Sequence, residues 1–142
     1  MHTQMARVAP VRVARNVRTL STSHIIHTQQ VCRTPTHVTK TTFGSFLEAN
    51  KEKLTIVDIH HRQCEPCKQF LPLFNEWTQK YYKCAFAEIE YDFENRSFLR
   101  ENGVMMVPTI QVYKGTKVFE LVGINVRGLG HITEMMKGEH DA

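Results

Sequence analysis

Apolar and polar positions in this chain become periodic only beyond about residue 41, where short apolar runs alternate with stretches of helical spacing. A short first strand is expected around Thr36–Thr39. Phe43, Phe46 and Leu47 follow at helical spacing behind Thr41 and Thr42, either of which can cap a helix. Leu54–Ile59 is an apolar run of buried-strand length. From about Cys64 to Tyr82, Phe70, Leu71, Phe74, Trp77 and Tyr81 recur at steps of three and four, which predicts one face of a helix. Ala85–Tyr91 alternates around Phe86 and Ile89 and reads as a strand; Asn95–Asn102 reads as a short helix stopped by Gly103. Thr109–Tyr113 and Val118–Val122 flank Lys114-Gly115-Thr116, a hairpin signal with glycine in the turn. Val126–Met136 carries Leu129, Ile132 and Met136 on one side, although Gly128 and Gly130 oppose a helix there.

The expected order is β-α-β-α-β-α-β-β-α. Alternation of this kind implies an α/β fold with a central mixed five-stranded sheet flanked by four helices, and the late hairpin supplies an antiparallel edge. The length, 142 residues, is that of one domain. No apolar run approaches the ~18 residues of a membrane span, so no membrane insertion is expected.

Charge changes the picture at one end only. Residues 1–27 hold Arg7, Arg12, Arg15 and Arg18 and no acid, and the first acidic residue is Glu48. Setting those four aside from the eighteen Lys and Arg leaves fourteen, equal to the fourteen Asp and Glu. The domain is thus neutral and gives no sign of a nucleic-acid surface. An Arg-, Ser- and Thr-rich, acid-free segment is the pattern of a mitochondrial transit peptide, and no apolar core of a secretory signal follows it. Arg18-Thr19-Leu20-Ser21-Thr22-Ser23 resembles the Arg-x-Leu-x-x-Ser pattern of two-step presequence processing. The expected organisation is a presequence at 1–27, a linker at 28–35 and one domain at 36–142, working in the mitochondrial matrix.

The chemistry concentrates at Cys64-Glu65-Pro66-Cys67, where a buried strand runs into a helix. A cysteine at a helix N-terminus faces unpaired backbone N–H groups and the positive end of the dipole, which favour the thiolate that attacks disulfides. Cys67, one turn inside, can reach back to Cys64, and Pro66 sits in the first turn, where its missing N–H costs little. This makes Cys64 the nucleophile and Cys67 the resolving thiol. A CxxC is also half of many zinc sites, and His60 and His61 upstream leave a metal-carrier alternative open. Cys84, at a strand start, reads as a small buried residue without a redox role; Cys32 falls in the linker.

From about Thr36 to its end the chain resembles the thioredoxin family. Asp58 precedes Cys64 by six residues, as the buried acid of thioredoxins does. Lys68 follows the second cysteine, and Pro72 stands at the family's helix-kinking proline, a structural role. Val107-Pro108-Thr109 matches the cis-proline loop, and Gly123 the glycine after the last strand. The resemblance implies the thioredoxin fold and exchange of protein disulfides. It implies Asp58 as proton partner of Cys67 and a docking strip along Val107, Pro108, Met106, Gln63 and Glu65. It calls for no metal or organic cofactor; electrons would arrive from a thioredoxin reductase or another thiol donor. Three positions depart from the pattern. Gln63 replaces the tryptophan before the first cysteine, His60 replaces an aromatic residue, and Glu65-Pro66 replaces Gly-Pro. The Glu65 carboxylate opposes a Cys64 thiolate and favours a reducing or mid-range couple. The same departures motivate an alternative, an interaction module in a mitochondrial complex with little redox activity. Met105 and Met106 are expected to form an adaptable apolar rim, or else one of them to be core.

Overall fold

The computed structural model describes residues 32–142; the expected presequence and residues 28–31 lie outside them. Five strands and four helices follow in the expected order: β1 (Thr36–His37), α1 (Phe43–Ala49), β2 (Thr55–His60), α2 (Glu65–Lys80), β3 (Ala85–Glu90), α3 (Arg96–Glu101), β4 (Thr109–Lys114), β5 (Thr116–Val122) and α4 (Val126–Asp141). The sheet order is β1-β3-β2-β4-β5. β3 pairs parallel with β1 and β2, while β4 pairs antiparallel with β2 and β5.

β2 carries Ile56, Val57 and Ile59 around Asp58 because it is central and covered on both faces. Its Ile56 side, with Phe86, Ile110, Val112 and Leu121, meets Phe70, Phe74, Trp77 and Tyr81 of α2 and Ile132 and Met136 of α4. Phe74 is fully buried and stacks on Phe70, Trp77 and Phe86 with centroids 5.7, 6.5 and 5.7 Å away. The opposite side, Val57, Ile59, Ala87 and Ile89, packs on Val38, Phe43, Leu99 and Val104. Burial of each such side chain stabilises the fold by ~1.5–3 kcal/mol.

Several elements depart from the sequence expectation. β1 keeps only two residues. Thr42 takes the N-cap position of α1 without bonding into the helix, because its hydroxyl accepts the Thr39 N–H at 2.9 Å. β3 does not alternate: Ala85 and Ala87 are buried along with Phe86 and Ile89, as a strand covered on both faces requires. Leu71 is 40 % exposed and lies off the buried face of α2. α4 runs on to Asp141 and includes both glycines. Its Asn125 cap accepts the Gly128 N–H at 2.7 Å, and a Cβ on Gly128 would overlap the Leu121 side chain. That glycine trades helix propensity for a close approach of α4 to β5.

Ahead of β1, Arg33 is tied to the end of α2. Its N–H donates to Gln79 Oε1 at 3.2 Å, its guanidinium donates to the Tyr82 carbonyl at 2.9 Å, and it lies over the Tyr82 ring.

Candidate active site

The end of β2 and the start of α2 are joined by a turn in which the Cys64 N–H donates to the His61 carbonyl at 3.0 Å. Arg62 clamps this turn to β3 through two bonds to the Glu90 carboxylate, 2.7 and 3.2 Å long, which hold the Glu90 pKa below the usual range. Cys64 is the N-cap of α2, with extended backbone (φ −88°, ψ 114°), and its Sγ accepts the Cys67 N–H at 3.3 Å. A sulfur thus occupies the place where a helix presents its unpaired donors. Pro66 lies inside the first turn, as expected.

Cys64 and Cys67 are joined as a disulfide, with Cα atoms 5.2 Å apart. Cys64 is partly exposed and Cys67 is 4 % exposed, so Cys64 carries the outer sulfur. Pro72 lies inside α2 and deprives the Lys68 carbonyl of its helical donor. Glu65 is mostly exposed, and its carboxylate lies 3.9 Å from Lys68 Nζ, which offsets its charge beside Cys64.

The Val107–Pro108 peptide bond is cis. The Thr109 hydroxyl donates to the Met106 carbonyl at 2.6 Å, and the Gly123 N–H donates to the Pro108 carbonyl at 2.8 Å. Gly123, at φ +74°, turns the chain away after β5. Met106, Val107, Pro108, Gly123 and Pro66 border an apolar groove of about 510 Å³, completed by Phe70, Ile124 and Leu129. Met105 and Met106 are both exposed, which removes the option that one is core. Of the expected docking strip, Met106, Val107 and Pro108 line the groove; Gln63 and Glu65 stand exposed outside it. Ile124 and Leu129 carry no signal in the sequence beyond apolarity, since only the fold brings the start of α4 to the cis-proline loop.

Asp58 is 1 % exposed, and neither of its oxygens has a hydrogen-bond partner among the described residues. His60 Nδ1 lies 3.4 Å from Oδ2, too poorly aligned for a hydrogen bond of normal geometry. The Asp58 side chain, at hydrogen-bonding reach, raises the His60 pKa above its ordinary value; burial opposes this, and the Glu88 and Glu90 charges add to it. His61 Nδ1 accepts the Gln63 N–H at 3.1 Å. His61 is thus engaged in the turn, and among the described residues no three His, Cys, Asp or Glu side chains converge as a metal site requires. Cys84 is buried, which pushes its thiol up to about 11; Cys32 is exposed. Among the described residues no helix is long and apolar enough to cross a membrane.

The family model "Thioredoxin" matches residues 34–137. The chain is 33 % identical over 87 residues to the chloroplastic F-type thioredoxin of Pisum sativum, covering 61 % of this chain and 48 % of that protein. It is 37 % identical over 87 residues to human thioredoxin, covering 61 % and 82 %. The chain spans about half the length of the chloroplastic relatives it matches. Among solved structures, a chain from the complex of ferredoxin:thioredoxin reductase with thioredoxin f2 superposes with a TM-score of 0.66 at 26 % identity, covering 72 % of this chain and 94 % of that one.

Proposed function

Since the chain belongs to the thioredoxin family, we propose that it is a protein-disulfide oxidoreductase whose working pair is Cys64 and Cys67. One observation carries this reading: a disulfide capping the N-terminus of α2, its outer sulfur partly exposed beside the cis-proline groove. In the cycle, the reduced Cys64 attacks one sulfur of a substrate disulfide, forming a mixed disulfide and releasing the other substrate sulfur as thiolate. Cys67 then attacks the Cys64 sulfur, the second substrate sulfur leaves, and the chain is left in the disulfide form. Two electrons pass from the dithiol to the substrate. Asp58 lies on the side of β2 that packs against α2 and serves as proton partner of Cys67. An extended substrate segment pairs with the Val107 backbone in the groove.

A thiol donor must return the electrons. That a thioredoxin f2 has been solved with ferredoxin:thioredoxin reductase supports a reductase as that donor. Residues 1–27 act, in this reading, as a mitochondrial presequence; their four arginines and lack of acid support it.

The full chain, reduced, is expected to catalyse insulin-disulfide reduction, and Cys64→Ser to lower the rate to that of the reductant alone. Cys67→Ser should hold substrates as mixed disulfides. An inactive wild type that co-purifies with a large assembly would support the interaction module instead. Import into isolated mitochondria with loss of the leading segment tests the location; uptake by chloroplasts, where several relatives are placed by name, would overturn it.

A further inference from the structure

The resolving step has to dispose of a proton inside the fold, and His60 is placed to handle it. Ile56 packs on α2, and alternation along β2 sets Asp58 and His60 on the same side. The parallel register places Glu88 beside Asp58 and Glu90 beside His60. Asp58 is buried with both oxygens unpartnered among the described residues, and His60 Nδ1 is sealed from solvent as well, 3.4 Å from Oδ2. The His60 side chain nonetheless keeps 22 % of its surface exposed. One imidazole therefore spans from an interior carboxylate to water. The other charges around it are committed elsewhere. Glu90 is clamped by Arg62, Glu88 faces His37 of β1 at 3.7 Å, and Lys68 of α2 lies against Glu65; on β4 the partner of Asp58 is the apolar Ile110.

We propose that His60 is a positioning residue that acts through Asp58, steadying the carboxylate and carrying its proton between the interior and solvent. The inference rests on the oxidoreductase reading above. In resolution, the Cys67 thiol gives its proton to Asp58. The Cys67 sulfur bonds to Cys64 Sγ, the bond from Cys64 to the substrate breaks, and the electron pair leaves on the substrate sulfur, which takes a proton from water. Asp58 then passes its proton to Nδ1 of a neutral His60, and Nε2 releases one to water. A protonated His60 cannot accept, so the relay closes on the acid side. The neighbouring Asp58, with Glu88 and Glu90, moves that closure above the ordinary histidine range.

The test mixes the reduced full chain, in a Cys32→Ser background, rapidly with an aromatic disulfide whose released thiolate is coloured. The first equivalent released reports attack by Cys64, and the second reports resolution by Cys67. His60→Asn keeps an N–H near the Nδ1 position but cannot relay a proton. It is expected to leave the first release within about twofold of wild type and to slow the second by ~10-fold at pH 8. The rise of the second rate with pH should vanish, free imidazole should restore part of that rate, and in an Asp58→Asn background His60→Asn should add nothing. A second release within about twofold of wild type overturns the proposal, as does a loss that neither pH nor imidazole moves. Should His60→Asn fail to fold, as judged by circular dichroism, His60→Gln carries the same expectations. A wild-type chain that releases the first equivalent and never the second overturns the oxidoreductase reading itself, which separates the two failures.

Discussion

The two sides of the sheet bury polar side chains in opposite ways. On the side toward α1 and α3, Gln111 is 2 % exposed, yet its Nε2 donates to Glu120 at 2.8 Å and its Oε1 accepts the Tyr113 hydroxyl at 2.7 Å. On the side toward α2 and α4, Asp58 is as deeply buried and satisfies neither oxygen. A buried group left without partners costs about 1–3 kcal/mol. One side therefore treats its polar group as structure, and the other tolerates an expense that packing alone would not keep. The proposed proton role of Asp58 would account for that expense.

Apolar packing should be equivalent on the two sides, and this gives the largest expected effects. Phe74→Ala is expected to destabilise by ~3–5 kcal/mol and Ile59→Ala by ~2–5 kcal/mol, read from urea unfolding midpoints. A loss well under about 1 kcal/mol at Ile59 would break the premise that the sides differ in polar content alone. The polar pair should then split in sign. Gln111→Leu strands the Tyr113 hydroxyl and is expected to cost ~1–3 kcal/mol, whereas Asp58→Val is expected to raise stability by a similar ~1–3 kcal/mol while slowing the resolving step. Losses at both sites would mean that Asp58 is a structural group.

Acidity sharpens the contrast further. His60 has a folded pKa raised above its unfolded value, so its stabilising contribution is fully present below about pH 6.5 and fades as pH rises through the folded value. The melting-temperature gap between wild type and His60→Phe should be wider at pH 5.5 than at pH 8.5, and a gap independent of pH would refute the coupling. The smallest effect is expected at Glu65. Its charge is exposed and offset by Lys68, so Glu65→Gln should make the dithiol couple more oxidising by only ~10–20 mV, measured against glutathione. A shift in the reducing direction would contradict the assigned sign.

The elements of the fold are largely legible in the residue pattern because each carries a local signal. Leu54–Ile59 had strand length, Phe70 to Tyr81 had helical spacing, and Gly115 marked the hairpin. The spacing of Cys64 and Cys67 likewise points to a pair that the fold joins, and Val107-Pro108 to a peptide bond that is cis. What stayed hidden depended on contacts far apart in sequence. Gly128 and Gly130 oppose the last helix in the sequence because the glycine penalty is local, whereas the Leu121 side chain that Gly128 must clear is not. β3 was expected to alternate because nothing local says that a strand is covered on both sides. His60 drew attention as a departure and a metal candidate; its alignment with Asp58 follows from the pleat, and its neighbours Glu88 and Glu90 from the β2–β3 register.

The remaining buried thiol, Cys84, has a consequence of its own. With its pKa near 11, only about one in 10⁴ of these groups carries a negative charge at pH 7. A nucleophile that scarce competes poorly for a mixed disulfide, so in the proposed cycle Cys84 would stay out of the exchange. Burial alone would thus make Cys84 a spectator of the chemistry proposed for Cys64 and Cys67.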